Sequence, residues 1–373
     1  MQMNSKERMM RALRREKPDR LPVTVHQWQG YHLNCYLKGI CDLGAFTMFG
    51  MDAAIQYFAK MGQFWLPEVP DMLQTDEWKV EIDVVKNTPT HRILEYQVTT
   101  PKGKLTYATE GNQQTTWFTE YMIKEQEDLE KLVYMPVPKL DKNDVAKAYD
   151  VVGDAGILRG FVWGDQAGCW QHVCCLGGTE QMILAAMDNP EWMHCFLQIL
   201  LEKKLLFIEE SLAGARFDLI ETGGGAASST VISPAFYAEF CLPYDRAMHD
   251  ALHQVGHVSS YHTCGGMMGI LDLIVANGTD VSETLSPVSV GGNITDRNLV
   301  KEQLGNQCAL IGGVDQFSVL TSGTPERIGQ EVYDLFATYG KGGGYIMSTA
   351  DHFFDVPVEN LKAYSEAAHE CSY

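Results

Sequence analysis

From about residue 127 onward, short apolar runs alternate with longer stretches whose apolar residues recur at helical spacing. The runs at 157–163, 217–221, 257–262, 280–285, 309–314 and 344–347 predict strands. The stretches 190–213, 234–255, 267–277, 325–339 and 358–369 predict amphipathic helices. Strands that alternate with helices build a parallel sheet, because a parallel neighbour is reached only through a crossover. The chain opens on a further helix. Asn4 or Ser5 caps it, Glu7 sits in its first turn, Met9, Met10 and Leu13 share a face, and Pro18 ends it. Residues 21–25 then read as a first strand that delivers His26, Trp28 and Tyr31.

Residues 78–123 follow a different period. Val80, Ile82 and Val84 alternate with charged neighbours, 96–107 reads as a hairpin around Pro101 and Gly103, and 115–123 gives one more strand. This is a small antiparallel β insertion in the N-terminal part, and one domain spanning 1–373 is expected. An open doubly wound sheet would carry a glycine-rich phosphate turn after an early strand. The Gly223-Gly224-Gly225 and Gly342-Gly343-Gly344 runs lack that spacing, so the expected fold is an α/β chain closed into a (β/α)8 TIM barrel.

Composition narrows the function. The net charge of −19 argues against nucleic acid and anionic membranes as partners, and against a substrate with many carboxylates. Lys6, Arg8, Arg11, Arg14, Arg15, Lys17 and Arg20 concentrate the basic residues near the start, where they read as a solvated helix face. The opening is polar and no run approaches the roughly 18 apolar residues of a membrane span. A cytoplasmic location is therefore expected, with the ten cysteines reduced.

In a parallel barrel the chemistry sits where strands end. The residues there are Trp163 and Asp165, Glu221, His262 and Cys264, Glu283 and Ser286, Asp315, and Asp351 and His352. In Tyr261-His262-Thr263-Cys264-Gly265-Gly266, an imidazole and a thiol leave the strand one residue apart, a pair suited to zinc, and the glycines let the backbone turn sharply. A core histidine beside a buried thiol is the bland alternative. Glu221 reads as a third ligand, a general base or a capping carboxylate. Asp351 and His352 either complete a metal or substrate site or serve as cap and loop residues. His26, Trp28, Tyr31, Trp163 and Asp165 are candidates for substrate contacts. His249 and His253, four apart on a helix, read as a solvated face, and Cys169, Cys174 and Cys175 as buried reduced thiols.

Several segments together resemble a known family. They are Ser5-Lys-Glu-Arg8 through Pro18-Asp19-Arg20-Leu-Pro22, Ser233-Pro234-Ala-Phe236 through Pro243-Tyr244, the His262–Cys264 turn, Ile311-Gly312-Gly313-Val-Asp315, and Val356-Pro357-Val-Glu359-Asn360. Their order resembles the uroporphyrinogen decarboxylase and cobalamin-dependent methyltransferase superfamily. The resemblance implies a (β/α)8 barrel. In the methyltransferase branch it implies zinc held by a His-x-Cys pair and a late cysteine. His262 and Cys264 match the pair, whereas the late position reads Ser348-Thr-Ala350-Asp351-His352 and lacks the thiol. His352, Asp351 or Glu221 would have to substitute. The decarboxylase branch needs arginines near the first strand, and 23–31 contains none. The expectation is therefore a zinc methyltransferase, O-demethylase-like, with a small methyl donor or acceptor, a corrinoid (cobalamin) protein as partner, and room for a homodimer. A decarboxylase and a non-catalytic corrinoid- or ligand-binding barrel are the alternatives.

Overall fold

The computed structural model describes residues 2–58, 70–164 and 167–373. Seven parallel strands run β1 (Ala53–Gln56), β6 (Gly156–Phe161), β7 (Leu219–Gly223), β8 (Ser259–His262), β9 (Val281–Thr284), β10 (Ala309–Val314) and β11 (Tyr345–Thr349), paired in that order. The chain segment 21–25 fills the gap between the two ends. Val23 bridges Met347 in parallel, Thr24 N–H donates to the Met347 carbonyl (2.9 Å), and Asp52 N–H donates to the Val23 carbonyl (2.7 Å). The sheet thus curls into a barrel. The expected first strand is present only as an isolated bridge, because Pro22 has no N–H to give to a ladder.

The barrel strands are short and buried on both faces, since helices cover the outside and side chains fill the inside. The helix Ser5–Leu13 packs across the end where the strands begin. Its Met9, Ala12 and Leu13 meet Ala54, Ile157, Leu219, Val281 and Ile346. Asn4 and Glu7 form a reciprocal capping box at its start. One basic residue of this helix is not solvated as expected: Arg8 is buried and donates to Asp19 (2.8 Å) and to Asp52 (2.6 Å). Asp52 also accepts from Arg20 (3.0 Å) and from the Val23 N–H (3.0 Å). One buried carboxylate therefore ties the bottom helix, the closing segment and the start of β1 together.

The insertion is a four-stranded antiparallel sheet, β2 (Lys79–Thr88), β3 (His91–Thr100), β4 (Gly103–Gly111) and β5 (Thr116–Glu120). Tyr96 and Tyr107 stack across β3 and β4 with ring centroids 4.2 Å apart. The inward face, with Leu94, Val98 and Leu105, belongs to the same continuous apolar cluster as the barrel.

Several helix expectations change, and the stretch 267–277 is helical only over Leu271–Ala276. The stretch 234–255 is two helices, Pro234–Phe240 and Leu242–Gln254, because Pro243 has no N–H for the Glu239 carbonyl. His249 is not on a solvated face. It is buried between Thr222 Oγ1 (3.2 Å) and Ser259 Oγ (2.8 Å), holding the helix against β7 and β8. Among the described residues no helix is long and apolar enough to cross a membrane.

Asp52→Ala removes the buried carboxylate that Arg8 and Arg20 share, and leaves Arg8 with Asp19 alone. The expected loss of stability is about 3–5 kcal/mol, the cost of breaking a buried pair. Urea unfolding measures it, and a change within ±0.5 kcal/mol, typical of a surface substitution, would remove Asp52 from this role.

Candidate active site

The lumen at the C-terminal ends of the strands holds charge where an ordinary core would be apolar. Arg159 points inward from β6 and is almost wholly buried. Its Nη2 donates to Glu221 Oε2 on β7 (2.7 Å) and to both oxygens of Glu283 on β9 (2.6 and 2.8 Å). Ser260 of β8 adds a bond from its hydroxyl to Glu283 Oε1 (3.2 Å). His262, at the end of β8, directs Nδ1 at the same pair. That atom lies 3.4 Å from Glu221 Oε1 and 3.9 Å from Glu283 Oε1, is buried, and has no hydrogen-bond partner among the described residues. His26 packs its ring against His262, centroids 5.1 Å apart, and is anchored through its N–H to Thr349 Oγ1 (2.9 Å).

Two glycines allow this crowding. Gly223 has φ +91°, and a Cβ there would stand 2.5 Å from the His262 carbonyl oxygen. Gly265 has φ +152°, and its Cβ would meet Ser228 Oγ at 2.6 Å. Only glycine lets the two turns approach so closely.

The electrostatics follow from burial and pairing. Burial opposes the Arg159 charge, yet Glu283 and Glu221 outweigh it and its pKa rises. Burial, then the Glu283 charge, push Glu221 well above the usual carboxylate range. Burial also works against ionised Glu283, but Arg159 and His262 overcome it and its pKa falls. The two carboxylates are thus pushed in opposite directions, Glu221 towards holding a proton and Glu283 towards its ionised form. His262 is lowered by burial, and His26 by burial and then His262, to about 3. Both imidazoles are neutral at ordinary pH. Burial, then Asp351 and Glu221, raise the Cys264 thiol.

Among the described residues, Glu221, His262 and Glu283 form a group whose donor atoms all lie within 4.8 Å of one another. Of the ligands expected from sequence, Glu221 and His262 are in it, while Cys264 and His352 fall outside. Cys264 lines the adjoining turn, where a Cβ on Gly225 would touch its Sγ at 2.8 Å. His352 is half-exposed at the mouth and pairs its Nδ1 with Asp351 (2.9 Å). This contact raises the His352 pKa against burial and helps hold Asp351 well below the usual carboxylate range.

The expected substrate contacts separate. His26 joins the lumen. Trp28 instead lies in an aromatic cluster with Phe46, Phe49 and Phe353. Tyr31 sits outside near Phe354, ring centroids 6.3 Å apart. Trp163 packs edge-on to His172, and its carbonyl accepts from the buried Lys204. Asp165 lies outside the described residues. Asp315 caps a helical turn, accepting from the Phe317 and Ser318 N–H groups (2.8 and 2.7 Å). Reading the residue after each strand names Glu283 without giving it a role, and it passes over Arg159. The available signal was a charged residue inside the apolar run Ile157-Leu158-Arg159-Gly160-Phe161, which a strand covered on both faces tolerates only with partners.

Arg159→Met removes the only cation bonded to both glutamates among the described residues. Urea unfolding near neutral pH should show a loss of about 3–5 kcal/mol that shrinks below about pH 4, where carboxylates protonate. An equal loss at both pH values would mean that neutralisation is not what Arg159 provides. His26 gives a second test. Between 6.5 and about 3 the unfolded chain takes up a proton that folded His26 refuses. Stability therefore falls as pH drops through that window. In metal-free protein, His26→Gln should flatten this dependence by about 1.4 kcal/mol per pH unit. An unaltered slope would mean that His26 is protonated in the fold.

Comparison with known proteins adds to this geometry. The family model described as "Uroporphyrinogen decarboxylase (URO-D)" matches residues 108–371. The chain is 30% identical over 196 residues to a uroporphyrinogen decarboxylase of Pseudoalteromonas atlantica, covering 50% of each chain. It is 24% identical over 197 residues to a methylated-thiol–coenzyme M methyltransferase of Methanosarcina mazei, covering 52% of this chain and 49% of the relative. It spans about half the length of the curated relatives it matches. A solved methyltransferase structure from Methanosarcina mazei superimposes with a TM-score of 0.67 over 99% of both chains at 17% identity, which shows the shared barrel fold. With more than two thirds of its length matched by the family model, the chain belongs to the uroporphyrinogen decarboxylase (URO-D) family.

Proposed function

We propose that the chain is a zinc-dependent methyltransferase, one domain over 1–373. It would move a methyl group from a small methoxylated aromatic to a corrinoid carried by a separate protein. The observation that carries this reading is the His262 Nδ1 atom, buried without a hydrogen-bond partner among the described residues and 3.4 Å from a carboxylate oxygen that Arg159 leaves unused. Two lone-pair atoms that face each other in a dry lumen call for a cation or a proton between them. A nitrogen with carboxylate oxygens, and a thiol in the next turn, is a donor set that suits zinc. His262 and Glu221 would hold it, with Glu283 the third donor of the group and the Cys264 thiol on the adjoining turn. Ligation would require Glu221 and Cys264 to release their protons.

Bound there, zinc supplies a Lewis acid that stabilises negative charge on the substrate oxygen. The protein residues do the rest. Arg159 keeps Glu221 and Glu283 in place and offsets one of their charges. His26, neutral and anchored by Thr349, walls the lumen beside His262. When the methyl group leaves, the aromatic oxygen needs a proton. His352, whose pKa Asp351 raises against burial, is a group at the mouth placed to supply one.

A decarboxylase reading is favoured by the 30% identity to a uroporphyrinogen decarboxylase. Against it stand Glu221, Glu283 and Asp351, with Arg159 already engaged by two of them, an arrangement that repels a substrate rich in carboxylates. A non-catalytic barrel would bind a corrinoid protein without turnover.

The test is metal content by mass spectrometry, beside His262→Ala and Glu221→Ala. Near one zinc per chain in the parent, lost in both variants, is expected. It should be followed by methyl transfer from methoxyaromatics when a corrinoid protein is added. A folded parent that takes up no zinc when supplied, or that turns over a porphyrinogen without metal, would overturn the proposal.

A further inference from the structure

Charge is also concentrated at the opposite end of the barrel. Where β10 and β11 begin, a cavity of about 370 Å³ is lined by Arg14, Arg15, Lys301 and Lys341, with Asn306 and the Gly342-Gly343 turn among them. No carboxylate among the described residues lines it. Arg15 donates to the Asn306 carbonyl (2.7 Å) and Lys301 to the Gly343 carbonyl (3.1 Å), which orients these side chains without neutralising them. Arg14 and Lys341 are exposed, and neither side chain is bonded to a described residue. The acidic residues nearby in sequence are Glu16, 3.9 Å from Arg11, and Glu302, whose side chain is exposed.

Helix dipoles give a partial account of these cations. The helices Ser5–Leu13 and Arg297–Gln303, and the turn Phe336–Gly340 that prolongs Pro325–Leu335, all end here. Each helix end presents at most about half a negative charge, so three come to roughly −1.5 against four positive charges. Most of the positive charge is left uncompensated, in a chain whose net charge is −19. Self-repulsion on this scale is relieved by an anion. Two guanidinium groups match the paired oxygens of a phosphate, and the glycine turn leaves room beside them: Gly342 has φ +88° and nothing within 4 Å of where a Cβ would be. The volume falls within the range of small-molecule sites.

We propose that this cavity binds a small phosphate-bearing anion of about the size of pyrophosphate, on the face of the barrel opposite His262. The inference is independent of the methyltransferase reading. Isothermal titration of the full chain with sodium pyrophosphate tests it, beside citrate and beside the Arg14→Gln/Lys341→Gln double variant. Both substituted side chains are exposed and unpaired, and an unchanged thermal midpoint checks that the variant folds. One pyrophosphate per chain is expected, bound more weakly as salt rises, and weakened about tenfold or more in the variant. Absence of binding to the parent, equal binding to the variant, or citrate binding as tightly as pyrophosphate would each overturn the proposal.

Discussion

A guanidinium shared between two carboxylates in the barrel lumen is the constraint on which the rest of the site depends. Arg159, Glu221 and Glu283 come from β6, β7 and β9, and none is stable there alone. An unpaired charge in such a place costs several kcal/mol, and the surrounding strands relax little because they are packed on both faces. The three residues therefore fix one another. Replacing all of them with apolar side chains would serve stability as well or better, since buried ion groups are often neutral or costly relative to packed hydrophobic residues. Their presence argues that the lumen is arranged for a bound ligand rather than for rigidity.

The triad also sets the chemistry of its neighbours. Glu283 receives two bonds from Arg159 and one from Ser260, which favour its ionised form. Glu221 receives one bond and keeps an oxygen turned towards His262. Two carboxylates of the same kind, in one sheet, are thus pushed in opposite directions by their surroundings. His262 and His26 stay neutral because the lumen is too dry to charge them, and neutral imidazole is the form that ligates metal.

Much of the fold was legible in the sequence because a parallel barrel writes its strands as short apolar runs between amphipathic helices. Six of the barrel strands and the antiparallel insertion were read in this way. The strand β1 escaped notice because Ala53-Ala54-Ile55-Gln56 is too short to show a period. The break at Cys241 was signalled by Pro243, although helical periodicity runs straight through it. The site was half legible. Glu221 and His262 end their strands and were found. Arg159 lies mid-strand, and only its three-dimensional neighbours explain it. Trp28 has the composition of a pocket residue but packs into a core of phenylalanines, a distinction that depends on which side of the first turn it faces.

The two ends of the barrel resolve the same problem in different ways. At the bottom, Asp52 is buried among Arg8, Arg20 and the Val23 N–H, so every lone pair facing a donor contributes to closing the barrel. At the top, His262 Nδ1, Thr263 Oγ1 and Ser348 Oγ are buried without partners among the described residues. Native proteins leave few such groups unsatisfied, and each one forgoes about a hydrogen bond's worth of stability. Unsatisfied donors and acceptors gathered at the strand ends, beside a carboxylate pair with one oxygen unused, mark the end of the barrel where a ligand would complete the bonding. The satisfied end holds the barrel closed, which frees the other end to remain electrostatically incomplete.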